Sequence, residues 1–148
     1  MRSISKFIIA LSASLAMGAA VAGETPQEQR HDLMEHVGDA AKAVGQMLKG
    51  EAPFDAETAM QSFQTWHEAA GKFGELFPEG TETGYDTRAK AAIWTDREGF
   101  EAALQAFSDA VDEAIAAAPQ DLDALNAAAG PVFKKCKACH EDYRTEED

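Results

Sequence analysis

Four stretches of this chain carry apolar residues at spacings of three and four, the mark of a helix with one buried face. The first places Met34, Val37, Ala41, Val44 and Leu48 on one side and stops at Gly50, with Pro53 just beyond. The second gives Phe63, Trp66, Ala70, Phe73 and Phe77; Asp55 is set to cap its start and Pro78 ends it. The third runs through Phe100, Leu104, Phe107, Val111 and Ile115 to Pro119, behind a candidate capping box from Thr95 to Glu98. The fourth opens at Asp121 and shows Leu122, Leu125, Ala129, Val132, Cys136, Cys139 and Tyr143.

No stretch alternates as a half-buried strand does. Four amphipathic helices, two of their three connections short, predict an all-α chain packed as an antiparallel up-down four-helix bundle. The long connection, PEGTETGYDTRAKAAIW, ends in two large apolar residues, Ile93 and Trp94. A connection of this length in a compact domain is usually functional or packed against something. Gly130-Pro131 falls inside the fourth helix, where proline removes a hydrogen bond and clashes one turn back, so a kink or break is expected there.

The N-terminus does not fit the bundle. Arg2 and Lys6 precede an apolar run from Phe7 to Met17, and small residues follow to Ala22. That order predicts a secretory signal peptide over residues 1–22, cleaved after Ala22, and export to a bacterial periplasm. The run is shorter than the ~20 residues a spanning helix needs, so no membrane insertion is expected once it is removed. The remaining chain, 23–148, is the length of one domain.

Without Arg2 and Lys6 the formal net charge falls from −13 to −15. So acidic a surface repels phosphate backbones and anionic lipid, which excludes nucleic acid as an expected partner.

Both cysteines lie in VFKKCKACHEDYR, with His140 directly after the second. On a helix Cys136, Cys139 and His140 share one face. A disulfide would close a very short loop and leave the histidine without a role. A structural zinc normally takes four ligands, and His31, His36 and His67 lie on other segments without paired spacing. Haem uses every residue: two thiols add across the vinyl groups, and the adjacent imidazole reaches the iron. An apolar slot for the macrocycle is available from Phe63, Trp66, Phe73, Phe77, Trp94 and Phe107, of which Trp94 has the least other reason to be where it is.

With RHDLM, KGEAPFDA, LFPEGTETG, IWTD and CKACHEDYR spread over the whole mature segment, the sequence resembles the cytochrome c-prime family, the class II c-type cytochromes. Cytochrome c′ is itself a standard example of the up-down bundle, so the fold and the resemblance are not independent arguments. The resemblance implies one covalent haem c on Cys136 and Cys139, with His140 as the proximal ligand and Arg144 near the proximal face. It implies a haem propionate as the partner of Arg30, whose planar guanidinium suits a carboxylate.

Met34 falls where the family faces the distal side of the iron. In one branch a residue there shields a vacant site; in a low-spin branch a methionine there binds the iron. A thioether ligand raises the reduction potential and suits an electron carrier, and it is the expectation adopted here. The alternative is a five-coordinate protein that binds nitric oxide or carbon monoxide with Met34 unbound. Monomer or homodimer follows from the same question.

Lys134, Lys135 and Lys137 cluster beside the anchor and could steer an anionic redox partner of unknown identity. No nucleophile–base pair or second metal site marks an enzyme. A haem-free thiol–disulfide protein using Cys136 and Cys139 is the remote third reading.

Overall fold

The computed structural model describes residues 23–146; the expected signal peptide lies outside the described residues. Four long helices carry the fold: α1 (Pro26–Leu48), α2 (Ala56–Phe73), α4 (Arg97–Ala117) and α5 (Leu122–Tyr143). A four-residue helix, α3 (Ala92–Thr95), ends the long connection. Each long helix packs against two others, in the order α1, α2, α4, α5 and back to α1, which is the square section of an up-down bundle. Among the described residues no helix is long and apolar enough to cross a membrane.

Local chemistry fixes the ends. Thr25 and Glu28 form a reciprocal capping box at α1, with Pro26 in the first turn where its missing N–H costs nothing. Asp55 accepts from the Thr58 amide at 2.7 Å, and Asp121 from Ala124 at 2.8 Å. The expected capping box at Thr95 is displaced by one residue: Asp96 caps α4 by accepting from Gly99, while Thr95 belongs to α3. The second helix also ends earlier than the apolar phase predicts. Gly74–Leu76 tighten into a 3-10 turn, and Phe77 is buried beyond the helix rather than on it.

Helix α5 passes through Pro131 without a break. The carbonyl deprived of its donor belongs to Ala127, which is exposed, as is Pro131 itself. Water can satisfy that carbonyl, and the ring points away from the packed side, so the expected break does not occur.

The core is in two parts. The larger contains Val44, Met47, Phe63, Trp66, Val111 and Leu125 among its buried residues. The smaller gathers Phe77, Ile93, Phe100 and Tyr143 at the other end. Cys136 packs on the first and Cys139 on the second. Trp66, with no exposed surface, donates its indole N–H to the Val37 carbonyl at 3.1 Å and so ties α2 to α1.

Candidate haem site

A cavity of about 430 Å³ lies between the two core clusters, walled by α1, α2, α4, α5 and the long connection. Met34 and Val37 contribute from α1, Phe73 from α2, Phe107 from α4. From α5 come Phe133, Cys136, Cys139, His140, Tyr143 and Arg144. The helical spacing of the cysteines and histidine thus does bring all three to one apolar space.

Both thiols are free and half-buried. Burial pushes the Cys136 thiol up to about 11, and burial followed by the nearby Asp142 carboxylate raises Cys139. They therefore keep their protons at neutral pH. The ligand atoms of Cys136, Cys139 and His140 do not converge as those of a single zinc site would; among the described residues the group that does is His31, Asp32 and Glu35 on the surface. His140 is shifted the other way: burial first, then the Arg144 and Arg88 cations, lower its pKa below the usual imidazole value. It is held neutral, with a nitrogen lone pair available to a metal. Two protonated thiols and a neutral imidazole around an apolar slot fit a covalently attached haem better than a zinc ion.

Arg30 is buried, at 5% exposure, on the cavity wall. Its terminal nitrogens hydrogen-bond to protein oxygens. One terminal nitrogen donates to the Leu76 carbonyl and to Thr81 Oγ1, both at 3.1 Å. The other donates to the Thr81 carbonyl at 2.8 Å and to Thr87 Oγ1 at 3.3 Å. The guanidinium also sits 4.6 Å from the centroid of Phe77. Its terminal donors are thus taken up by Leu76 at the end of the 3-10 turn and by Thr81 and Thr87 of the long connection, which they tie to α1.

Trp94 is not among the residues that line the cavity. It stands behind Phe77, with ring centroids 5.6 Å apart, and donates its indole N–H to the Pro78 carbonyl at 3.1 Å. Phe63 and Trp66 are likewise core, whereas Phe73, Phe77 and Phe107 do form cavity wall. The three lysines separate: Lys135 lines the cavity, and Lys137 turns to pair with Glu141 at 3.5 Å. Arg144 is exposed at the rim. His67, without a role in the sequence, pairs on the surface with Asp112 at 2.8 Å.

Sequence reasoning missed several wall residues. Phe133 was findable, since it lies one turn before Cys136 on the same face. Tyr85, Arg88 and Ala89 were not, because they reach the cavity through the course of the loop. That loop is held at its far end by an antiparallel bridge between Ala89 and Arg144 and by the Lys90 amide donating to the Tyr143 carbonyl at 2.9 Å. At its tip Gly84, Tyr85 and Asp86 all have positive φ, which is unusual for the two non-glycine residues.

A helical bundle with a paired-cysteine and histidine cavity defines a class, the c-type cytochromes built on four helices rather than on the small globular fold. The family model described as Cytochrome C′ matches residues 25–144, and the chain belongs to that family. It is 36% identical over 133 residues to a cytochrome c′ of Rhodopseudomonas palustris, covering 88% of each chain. It is also 36% identical over 123 residues to a cytochrome c-556 of Agrobacterium tumefaciens, covering 83% of this chain and 98% of that one. The structure of cytochrome c′ from Rhodopseudomonas palustris superposes with a TM-score of 0.81 at 32% identity, over 85% of this chain and all of that one. The chain is thus a c-type cytochrome carrying haem c, of a family of electron carriers and gas-binding haem proteins that is not an enzyme family.

Proposed function

We propose that this chain is an exported electron carrier whose haem is held by Cys136 and Cys139 and ligated by His140 and Met34. The observation that carries the reading is that Met34, from α1, and His140, from α5, line one and the same apolar cavity. Bound haem supplies a single iron that takes up and releases one electron.

Each residue then has a task. Cys136 and Cys139 anchor the ring edge by thioether bonds. His140, kept neutral by burial and by Arg144 and Arg88, offers its ring nitrogen. Met34, half-buried on the wall, offers a soft thioether that favours the ferrous state. The apolar wall from Val37, Phe107 and Phe133 excludes water. Arg30 acts through the loop, latching it down so that the cavity stays closed on that side. The N-terminal leader, read from its charge and apolar order, takes the chain to the periplasm, where haem is attached.

An optical spectrum of the exported protein, oxidised and reduced, with and without carbon monoxide, tests this. Sharp low-spin bands unaffected by the gas support Met34 ligation. Broad high-spin bands that move with it would replace the proposal by the gas-binding alternative, in which Met34 only shields the site.

A further inference from the structure

Charge is unevenly spread over this molecule. After residue 22 it carries 26 acidic residues and 11 basic ones, yet the side chains that line the cavity include Arg30, Arg88, Lys135 and Arg144 with Asp86 as the one carboxylate. Arg30 is buried and committed to the loop, so it contributes little to the outer surface. Lys135 and Arg144 are exposed at the mouth, and neither side chain has a hydrogen bond or ion pair among the described residues. Asp86 faces them from the loop, and Asp142, close enough to act on Cys139, offsets part of their field from α5.

Apolar surface is exposed at the same place. Tyr85 and Leu122 are the exposed large hydrophobic residues among those described, and Tyr85, 54% exposed, stands in the mouth. Its ring meets His31 edge-on with centroids 5.9 Å apart. The backbone holds it there in the left-handed region, at φ 48°, a conformation that costs a tyrosine free energy and persists only where the surroundings impose it. An apolar spot beside the exposed cations Lys135 and Arg144, on a molecule rich in carboxylates, has the make-up of a small, transient protein interface.

We infer that the mouth of the cavity, around Tyr85, Lys135, Arg144 and Arg88, is the docking surface for a one-electron redox protein that presents a carboxylate-rich face. The inference rests on the electron-carrier reading. In each encounter one electron crosses the mouth: the carrier is reduced as the partner's centre is oxidised, or the reverse, and no bond forms or breaks. The negative remainder of the molecule repels such a partner everywhere else, so it turns the mouth towards the encounter.

Two small oxidants distinguish local from global charge, hexacyanoferrate(III) as the anion and tris(phenanthroline)cobalt(III) as the cation. Each is mixed with the reduced holoprotein in a stopped-flow instrument over a range of salt. If the mouth governs the encounter, the anion reacts more slowly as salt rises and the cation faster, opposite to what the net charge dictates. Lys135→Glu then slows the anion several-fold at low salt. Lys49→Glu, beyond the far end of α1, leaves it unchanged. The reverse salt dependence, or equal effects of the two substitutions, would overturn the inference while leaving the carrier reading intact. A holoprotein that neither reagent oxidises would remove both.

Discussion

Arg30 lies 4.6 Å from the ring centroid of Phe77 and, from that stacked position, holds Thr81 and Thr87 of the long connection and the Leu76 carbonyl just before it through its two terminal nitrogens. A buried cation whose terminal nitrogens are hydrogen-bonded specifies its surroundings closely, because each acceptor it leaves loses its donor.

Arg30→Ala strands those oxygens and is expected to cost about 2–4 kcal/mol in chemical denaturation of the holoprotein. Arg30→Lys recovers only part of the loss, since an ammonium cannot reproduce the fork. Limited proteolysis locates the damage: new cleavage should fall within residues 78–91. Cleavage elsewhere would mean the latch is not what Arg30 provides.

Met34→Leu replaces a thioether by a hydrocarbon of similar size, so the wall stays filled while the proposed ligand is lost. The low-spin bands should give way to high-spin ones, carbon monoxide should bind, and the reduction potential should fall. An unchanged spectrum would show that Met34 does not touch the iron.

The thiols give a pH prediction that exists only without haem. Folding raises Cys136 from 9.0 to about 11, so between those values the folded chain keeps a proton that the unfolded chain gives up. Stability of the haem-free protein is therefore undiminished at neutral pH and declines as pH climbs from 9 towards 11. Thioether sulfurs carry no such proton. Denaturation midpoints of the two forms should diverge over this window, and alkylation of the haem-free protein by iodoacetamide should be slow at pH 7 and accelerate towards its upper end.

Trp94→Phe removes the indole hydrogen bond to Pro78 and is expected to cost about 1 kcal/mol. Because Trp94 stands behind Phe77, the absorption bands of the holoprotein should stay where they are. A displaced spectrum would restore Trp94 to the haem wall.

The bundle was legible because its information is local and periodic. Met34, Val37, Ala41 and Val44 announce a buried face whatever they pack against, and Asp55 and Asp121 cap helices through bonds three residues long. The meeting of Cys136, Cys139 and His140 at one cavity was legible for the same reason, all three lying within two turns. Arg30 was not. Nothing in RHDLM distinguishes a buried latch from a surface charge, since its acceptors are about fifty residues away and bound to it only by the fold. The different placing of the lysines near the anchor was not legible, because a helix sends neighbours to different sides, Lys135 to the cavity and Lys137 to Glu141. Pro131 misled in the opposite direction. Proline's cost depends on whether the deprived carbonyl can meet water, and Ala127 is exposed.

The division of the two cysteines between the two clusters bears on how the molecule comes together. Cys136 belongs to the end that closes by contact among its own side chains, and Cys139 to the end built from Phe77, Ile93, Phe100 and Tyr143. A ring bonded to both sulfurs is a splice between them. Maturation should therefore be readable as an order of hardening. Amides around Val44, Phe63 and Leu125 should resist hydrogen exchange in the bare chain, whereas those around Phe77 and Ile93 should gain their protection only when the splice is made.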